Sequence, residues 1–308
     1  MMESVLTVVI PVHDRERIVG ATLESLERQG LMCPMILVDN NSSDGSFNVL
    51  KEWADARNAK GGCVTVLQET MPGAAAARNR GLREVDSPWV MFFDSDDLML
   101  EGHLNRIIKA INDFPDADII GWDVAVRQLD GTESRRVFAD RDLMFRNMFN
   151  AIFATQRYAV RTDFFRHAGS WDASVMGWND YETGMRLAAM NPRTVKLQGD
   201  PTVLVVEQTK SITGTDYSSG AAKWEHAIDC CEATLRRHGL MRELRWLELR
   251  RIVLAALYAR EKSPEASRLY DEVMRRTLSA RQRMLLHAAY AYTRHGGRGI
   301  HYLLRPFI

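Results

Sequence analysis

The sequence contains no stretch long enough for a membrane-spanning helix, because no apolar run reaches the roughly 18 residues that this requires. Its first residues lack the basic segment of a secretory signal and run directly into a predicted strand. It has four cysteines, none in a C-x-x-C spacing, and this pattern supports neither a zinc site nor a disulfide framework. From these absences we expect a cytoplasmic protein with free thiols.

Two signatures of nucleotide-phosphate binding are also missing. No G-x-G-x-x-G follows the first predicted strand, which argues against a dehydrogenase of the common dinucleotide-binding type. Residues 13–17, at the same point, do not form the glycine-rich basic loop typical of nucleotidyltransferases, so that class stays only as an alternative. Nor do we find the interleaved basic and aromatic residues, or the recognised module, that would indicate nucleic acid binding.

Charge and periodicity divide the chain. The formal net charge is zero, but residues 221–308 hold 17 Lys and Arg against 9 Asp and Glu, whereas residues 1–220 hold 23 against 31. Strand and helix patterns alternate in the first part, which predicts βαβ units and a mostly parallel sheet flanked by helices. We therefore predict an α/β domain over residues 1–220 and a basic, all-helical C-terminal region over residues 221–308.

The middle of the chain is less regular than its beginning. A helix is predicted over residues 98–114 and a single strand over residues 118–129. After residue 221 the pattern fits three or four helices.

The most informative segment is an acidic strand end. A predicted buried strand over residues 89–93 is followed by Asp94, Asp96 and Asp97. Carboxylates this close together repel one another. A divalent cation, which prefers hard oxygen ligands, commonly offsets the repulsion, often while holding a phosphate. Ligands of open α/β sheets gather at this same edge. The alternative is an acidic turn in which Asp97 caps the next helix.

Four motifs follow one another in the first hundred residues: IPVHDR (10–15), VDNNSSDGS (38–46), GAAAARNRG (73–81) and FDSDD (93–97). Together they resemble the nucleotide-binding half of family-2 glycosyltransferases, which are inverting enzymes of GT-A fold. The likeness covers about residues 4–215. It implies a Rossmann-like sheet and the transfer of one sugar from a nucleotide-sugar donor, most naturally a UDP-sugar. The implied acceptor is a saccharide or lipid-linked saccharide in surface polysaccharide or glycolipid synthesis.

The resemblance also implies a donor site. Asp39 would accept from the N3–H of uracil, with the capping of its own turn as the alternative. Arg78 would lie beside the diphosphate, unless it is an ordinary surface arginine. His13 stands where the family often has tyrosine, and Asn40 where it often has a second aspartate. The implied donor-binding residues are Pro11, Val12, His13, Asp39, Gly73, Arg78, Asp94 and Ser95.

For the metal, the resemblance implies Mn²⁺ or Mg²⁺ held by Asp96 and Asp94. Bound there, the cation would neutralise the leaving diphosphate as a Lewis acid. The closing loop that binds metal through a histidine in some relatives corresponds to residues 206–213 here. It contains Gln208 and no histidine, and Lys210 or Ser211 would reach phosphate instead.

The catalytic base implied by the family is Asp180, which would take the proton of the acceptor hydroxyl. Asn179 replaces the usual first acid of this motif, and the alternative for either residue is capping of the following helix. Trp178 would line the acceptor pocket or pack in the core, and Glu182 is a further acceptor-side candidate.

The basic helical tail admits two interpretations. Arginine pairs at 236–237, 250–251 and 275–276 lie beside apolar residues, as in amphipathic helices that contact anionic lipid. Solvated arginines or a homodimer surface explain the same pattern. The substitutions at His13, Asn40 and Asn179 also keep a non-catalytic binding or scaffold protein as an alternative.

Overall fold

The structure is a computed structural model that describes residues 4–30, 33–208 and 216–308. Its strands are β1 (Leu6–Val12), β2 (Met35–Asp39), β3 (Val64–Gln68), β4 (Trp89–Phe92), β5 (Leu98–Met99), β6 (Ile119–Gly121), β7 (Val124–Arg127), β8 (Glu133–Arg136), β9 (Tyr158–Arg161), β10 (Thr194–Lys196) and β11 (Val203–Val206). Its helices are α1 (Val19–Glu27), α2 (Ser46–Ala59), α3 (Ala74–Leu82), α4 (His103–Asp113), α5 (Leu143–Asn150), α6 (Thr162–His167), α7 (Asn179–Ala189), α8 (Ala221–Arg237), α9 (Met241–Arg260), α10 (Glu265–Arg276), α11 (Ala280–Arg294) and α12 (Ile300–Leu304).

The chain divides into two compact units. The sheet unit comprises residues 1–141, 152–176 and 190–209, and the helical unit comprises residues 142–151, 177–189 and 210–308. The helical unit therefore contains α5 and α7 in addition to the five helices after residue 221. Within the described ranges, no helix is both long and apolar enough to cross a bilayer.

The sheet unit is built on seven strands in the order β10-β6-β9-β4-β1-β2-β3. Only β9 runs against its neighbours, so the predicted mostly parallel sheet is confirmed. Every residue of β1, β2 and β4 is buried, as expected of central parallel strands covered on both faces. Helix α3 lies close to this sheet because Gly81 has no side chain: a Cβ there would approach Val9 to 2.5 Å.

Two predicted elements are different in the structure. The helix predicted over residues 98–114 begins only at His103, because Leu98 and Met99 pair with β11 and Gly102 is left-handed. The strand predicted over residues 118–129 is two strands in different sheets. β6 belongs to the large sheet, and β7 belongs to a four-stranded sheet of order β5-β11-β7-β8. The apolar pattern continues across this change of sheet and therefore did not mark it.

In the helical unit, five helices follow residue 221 instead of three or four. The long helix α9 packs against α8, α10 and α11, and α7 packs against α8 and α5. Arg251 is buried at 3% exposure between helices and pairs with Asp229, Glu232 and Glu248 at 2.6–2.9 Å. Part of the basic character of the tail therefore belongs to an internal ion-pair network.

His103 is expected to make the fold acid-sensitive. The imidazole is fully buried, and its Nδ1 lies 2.7 Å from the hydroxyl of Thr202. Burial, and after it the charge of Arg106, lower the pKa of His103 from 6.5 to about 3. Because the fold favours the neutral ring, its stabilisation is complete above pH 6.5 and is lost as the pH falls towards 3. Between pH 6.5 and pH 5 we expect a loss of about 2 kcal/mol in the free energy of unfolding.

Urea unfolding at a series of pH values measures this loss. His103→Asn keeps a polar partner for Thr202 without the titrating group and should flatten the dependence over this range. His167→Asn, which changes an exposed histidine, is the matched control and should leave the dependence as in the wild type. An unchanged pH dependence in His103→Asn would contradict the assignment.

Candidate functional site

Most of the predicted donor residues meet at one edge of the large sheet. Strands β1, β2 and β4 end side by side there, with Val12 paired to Asp39 and Val9 to Phe92. The side chains of Pro11 and Val12 are buried, so these two residues can offer a ligand only their main chain. His13 is exposed, with its ring 2.8 Å from the carbonyl of Asn40, and presents an aromatic surface at this edge.

Asp39 has an unsatisfied acceptor. The residue is 1% exposed, and its Oδ2 accepts only long bonds, from the Ser42 amide at 3.4 Å and Gln68 Nε2 at 3.5 Å. Its Oδ1 is buried and has no hydrogen-bond partner in the part of the chain that the structure describes. A buried carboxylate oxygen left in this way is costly, and an N–H group of a ligand would relieve the cost.

Asn40 organises the neighbouring loop, a role that sequence reasoning missed. Its Nδ2 donates to the carbonyls of Glu69 and Met71 at 3.0 and 2.7 Å, and its Oδ1 accepts from the amide of Gly73 at 2.8 Å. An aspartate has no N–H to donate, so the asparagine here is explained by geometry.

We expect Asn40→Asp to destabilise the protein by about 2–4 kcal/mol, because two carbonyls lose their donors and then face a carboxylate. The free energy of unfolding in urea measures the effect. Asn41→Asp changes the adjacent exposed residue by the same atoms and should stay within about 0.5 kcal/mol of the wild type. Equal effects of the two substitutions would refute this role for Asn40.

Gly73 immediately precedes α3, and Arg78 lies in the middle of this helix. Gly73 has φ 115° and ψ 143°, a conformation that essentially only glycine adopts. Arg78 is 5% exposed, its Nη2 donates to Asp94 Oδ1 at 2.8 Å, and its guanidinium lies 4.7 Å from the ring centre of Trp171. Arg78 is thus a buried cation beside the acidic loop, which comprises residues 94–97, and the surface-arginine alternative is excluded.

The acidic loop is held from below by α1. The Thr22 hydroxyl lies 3.0 and 2.9 Å from the carbonyls of Ser95 and Asp97, which fixes the main chain around Asp96. The Asp96 carboxylate lies 3.7 Å from Arg15, a second cation that sequence reasoning did not single out. Burial, and then the neighbouring charge of Asp94, raise the pKa of Asp96 above its ordinary range.

Asp97 has a structural role. It is 2% exposed, and its Oδ1 accepts from the amide of Val206 at 3.0 Å, which ties the acidic loop to β11. Burial, with the charges of Asp94 and Asp96, raises its pKa well above the ordinary value. The alternative in which Asp97 caps the next helix is wrong, since that helix begins at His103.

The residues present fit a divalent cation bound together with a phosphate. No group of three or more His, Cys, Asp and Glu side chains in residues 4–30, 33–208 and 216–308 is arranged to hold a metal alone. Mg²⁺, however, is typically held by one or two carboxylates plus substrate phosphates. Asp94 and Asp96 supply hard oxygens, and the charge of Asp94, which after burial is the second cause of the raised pKa of Asp96, is one that a cation would offset.

The acceptor-side candidates belong to the helical unit. Asp180 lies in the first turn of α7 and is half-buried, and the Asn179 side chain accepts from its amide at 2.9 Å. Glu182 is 2% exposed, and both of its oxygens accept from Arg186 at 2.7–2.8 Å, an internal ion pair. The Trp178 ring is 4.5 Å from the guanidinium of Arg250.

The predicted closing loop is only partly described. Gln208 Nε2 donates to the carbonyl of Val206 at 3.3 Å, a local bond close to β11. Lys210 and Ser211 lie outside the described residues.

The chain is similar to a family model, to individual relatives and to solved structures. The model of glycosyl transferase family 2 matches residues 7–169. An uncharacterized glycosyltransferase of Haemophilus influenzae is 23% identical over 293 residues, which are 90% of this chain and 92% of that protein.

Among solved structures, Staphylococcus aureus TarS 1–349 in complex with UDP-GlcNAc has a TM-score of 0.60 at 17% identity, covering 98% of this chain and 91% of that one. A longer TarS chain has a TM-score of 0.64 at 14% identity, covering 94% of this chain and 55% of that one. Mannosyltransferase PcManGT of Pyrobaculum calidifontis, with GDP-Man and Mn²⁺, has a TM-score of 0.56 at 18% identity, covering 96% and 88%. The predicted GT-A fold is confirmed, and since the family model matches more than half of the chain, this protein belongs to glycosyl transferase family 2.

Proposed function

We propose that this glycosyltransferase transfers one sugar, with inversion, from a nucleotide-sugar donor, a UDP-sugar first of all, to a saccharide or lipid-linked saccharide. The observation that carries the proposal is Asp39 Oδ1, a buried acceptor without a partner in the described ranges, at the sheet edge that also bears Asp94 and Asp96. The imide N–H of uracil is a donor of the kind that this oxygen lacks. The complexes of TarS with UDP-GlcNAc and of PcManGT with GDP-Man support a donor of this class.

The donor lies along the carboxyl edge of the sheet. Its base contacts Asp39 and stacks on His13, and its diphosphate lies near Arg78 and the acidic loop. Arg78 is desolvated and therefore interacts more strongly with phosphate than an exposed arginine would. Its bond to Asp94 orients both groups before the donor binds.

Asp96 and Asp94 would hold Mn²⁺ or Mg²⁺ at this edge of the sheet. When bound, the cation supplies Lewis-acid stabilisation of the leaving nucleotide diphosphate. The Mn²⁺ in the PcManGT complex supports this assignment. Because the protein offers two carboxylates here, we expect the metal to bind weakly until the diphosphate completes its ligand set.

Asp180 is the general base that takes the proton from the acceptor hydroxyl. Its support is a half-buried carboxylate in the first turn of α7, preceded by Asn179, whose side chain is engaged with the backbone. Glu182 and Trp178 are not part of the proposed acceptor site, because Glu182 forms an ion pair with Arg186 and the guanidinium of Arg250 lies over the ring of Trp178.

Nucleotide release from a panel of UDP- and GDP-sugars, with Mn²⁺ and an added acceptor mixture, tests this function. We expect turnover of at least one UDP-sugar that stops in EDTA. Absence of both binding and turnover across the panel would instead support a non-catalytic protein that has kept the fold.

We also propose peripheral contact with an anionic membrane through the end of the helical unit. The arginine pairs first considered are largely engaged within the protein: Arg251 is buried, and Arg236 and Arg276 pair with glutamates. Residues 277–308, in contrast, contain five arginines, of which Arg305 pairs with Asp142, and no acidic residue. Four large apolar side chains in this segment are exposed, Leu278, Met284, Leu303 and Phe307.

Co-sedimentation with vesicles tests the membrane contact. We expect binding to phosphatidylglycerol vesicles, at least tenfold weaker binding to phosphatidylcholine vesicles, and a similar loss in Leu303→Glu. Leu129→Glu, in which an exposed leucine of the sheet unit is changed, is the control. Equal binding to both lipids would contradict the proposal. Formation of a homodimer that buries these apolar side chains at the same protein concentration would contradict it as well.

A further inference from the structure

Arg157 is a buried cation that the proposed mechanism does not use. It ends the 3₁₀ turn Thr155–Arg157 just before β9, and it is 3% exposed. Its Nε and Nη2 are buried and have no hydrogen-bond partner among the described residues. A guanidinium carries five N–H donors and stays charged in proteins, so leaving two of its nitrogens unsatisfied in the interior is costly.

No carboxylate in the described ranges forms an ion pair with Arg157. Asp123 is the acidic neighbour, but its Oδ1 pairs with Lys196 at 2.8 Å and its Oδ2 with Arg135 at 2.7 Å. Arg136 adds a further positive charge. Burial, and then Arg136, lower the pKa of Arg157 to about 10, so the guanidinium is still protonated at neutral pH. Arg157, Arg135, Arg136 and Lys196 therefore outnumber the carboxylate of Asp123, although Arg136 also acts on the carboxylate of Asp97.

The position of Arg157 relates it to the donor site. Ala159 of β9 pairs with Met91 of β4, and extending this antiparallel register by two residues brings Arg157 level with Phe93. Phe93 immediately precedes Asp94. Along the edge of the sheet, β2 bears Asp39, β1 and β4 follow, and β9 comes next. Arg157 thus lies one strand spacing, about 4.8 Å, beyond β4 on the side away from Asp39.

Gln156 is a second unsatisfied group at the same point. Its Oε1 is buried without a hydrogen-bond partner in the described ranges, and the residue is 7% exposed. An amide oxygen accepts from hydroxyl groups, and a guanidinium donates to oxyanions. The pair matches a ligand that is both hydroxylated and anionic.

We propose that Arg157 binds an oxyanion that the donor brings into this site, with Gln156 accepting from an adjacent hydroxyl. The inference rests on the proposed function. The order of strands favours the part of the donor beyond the metal-binding carboxylates. Two sources carry that chemistry: the β-phosphate, or a carboxylate on the transferred sugar. Arg157 is then a determinant of donor specificity.

Calorimetric titration with UMP, UDP, UDP-glucose and UDP-glucuronate in Mn²⁺ separates the two sources. Arg157→Met removes the charge and keeps an unbranched side chain in place of the aliphatic stem, and Arg157→Lys keeps the charge. If the β-phosphate is the partner, Arg157→Met lowers the affinity for UDP and for both UDP-sugars by about tenfold to a hundredfold and leaves the affinity for UMP unchanged. If a sugar carboxylate is the partner, only UDP-glucuronate weakens. In both cases Arg157→Lys recovers part of the loss.

The matched control is Arg136→Met, which removes a neighbouring exposed charge from the same cluster. A long-range field would make both variants lose affinity equally, and this would overturn the inference, as would wild-type affinity of Arg157→Met for all four ligands. The thermal midpoint of the ligand-free protein is a separate measurement. Because the charge is unpaired, Arg157→Met should keep or raise it, whereas a structural arginine would lower it. If the wild type binds none of the four, the proposed function fails with the inference.

Discussion

Replacing Asp96 with asparagine is expected to lower the turnover of donor and acceptor by about 10²–10³-fold. The reason is the loss of one of the two carboxylates proposed to hold the metal, whose Lewis-acid role would account for several kcal/mol of transition-state stabilisation. Initial rates at saturating Mn²⁺ measure the effect. The affinity for UDP in Mn²⁺ should fall as well, and the affinity in EDTA should not.

The same substitution should leave the fold intact. Burial and Asp94 raise the pKa of Asp96, which means that the protein disfavours its charged form, and a neutral asparagine relieves that cost. We therefore expect a thermal midpoint equal to or above that of the wild type. Asp163→Asn, which changes a carboxylate that is 85% exposed, is the matched control and should retain full rate. Full activity of Asp96→Asn would show that no catalytic metal binds at this position.

Replacing Asp180 with asparagine is expected to lower the transfer rate by about 10²–10⁴-fold, the usual contribution of a positioned general base. Asparagine keeps the shape of the side chain and its capacity to cap α7, but it cannot accept the proton. The affinity for the donor should stay within about twofold of the wild-type value, because the role proposed for Asp180 is on the acceptor. Titration with UDP and single-turnover transfer to an acceptor measure the two effects separately.

Asp271→Asn, on α10 of the same helical unit, removes an exposed carboxylate and serves as the control. If Asp180→Asn transfers sugar at the wild-type rate, Asp180 is a helix-capping residue and another group is the base. If instead donor affinity and transfer fall together, the residue supports the fold of the helical unit.

The sheet and its acidic edge were predictable because local patterns encode them. The continuous apolar runs of β1, β2 and β4 indicate buried parallel strands, and the turn residues after β2 mark where a strand ends. The resemblance of four motifs then added roles for Asp39, Arg78 and Asp94. The structure brings Asp39 and Asp94 to one edge of the sheet, and it pairs Arg78 with Asp94.

The features missed were those set by contacts between distant residues. The change of sheet after Gly121 depends on which strands β6 and β7 find as partners, and the apolar pattern is the same for either. The role of Asn40 was missed because its three bonds involve the loop at residues 69–73, which is distant in sequence. Arg157 and Arg251 are both arginines in ordinary sequence surroundings. Only tertiary packing leaves Nε and Nη2 of Arg157 without a hydrogen-bond partner among the described residues and places Arg251 in an ion-pair network.

The central claim is that a nucleoside diphosphate binds along the carboxyl edge of the sheet, from Asp39 to Asp96, with a divalent metal. The most direct test is calorimetric titration of UDP into the wild type and Asp39→Ala, each in Mn²⁺ and in EDTA. We predict that the wild type binds at least tenfold more tightly in Mn²⁺, and that Asp39→Ala weakens binding by about tenfold in both conditions. UDP affinity that is unaffected by Asp39→Ala and by removal of the metal would contradict the claim.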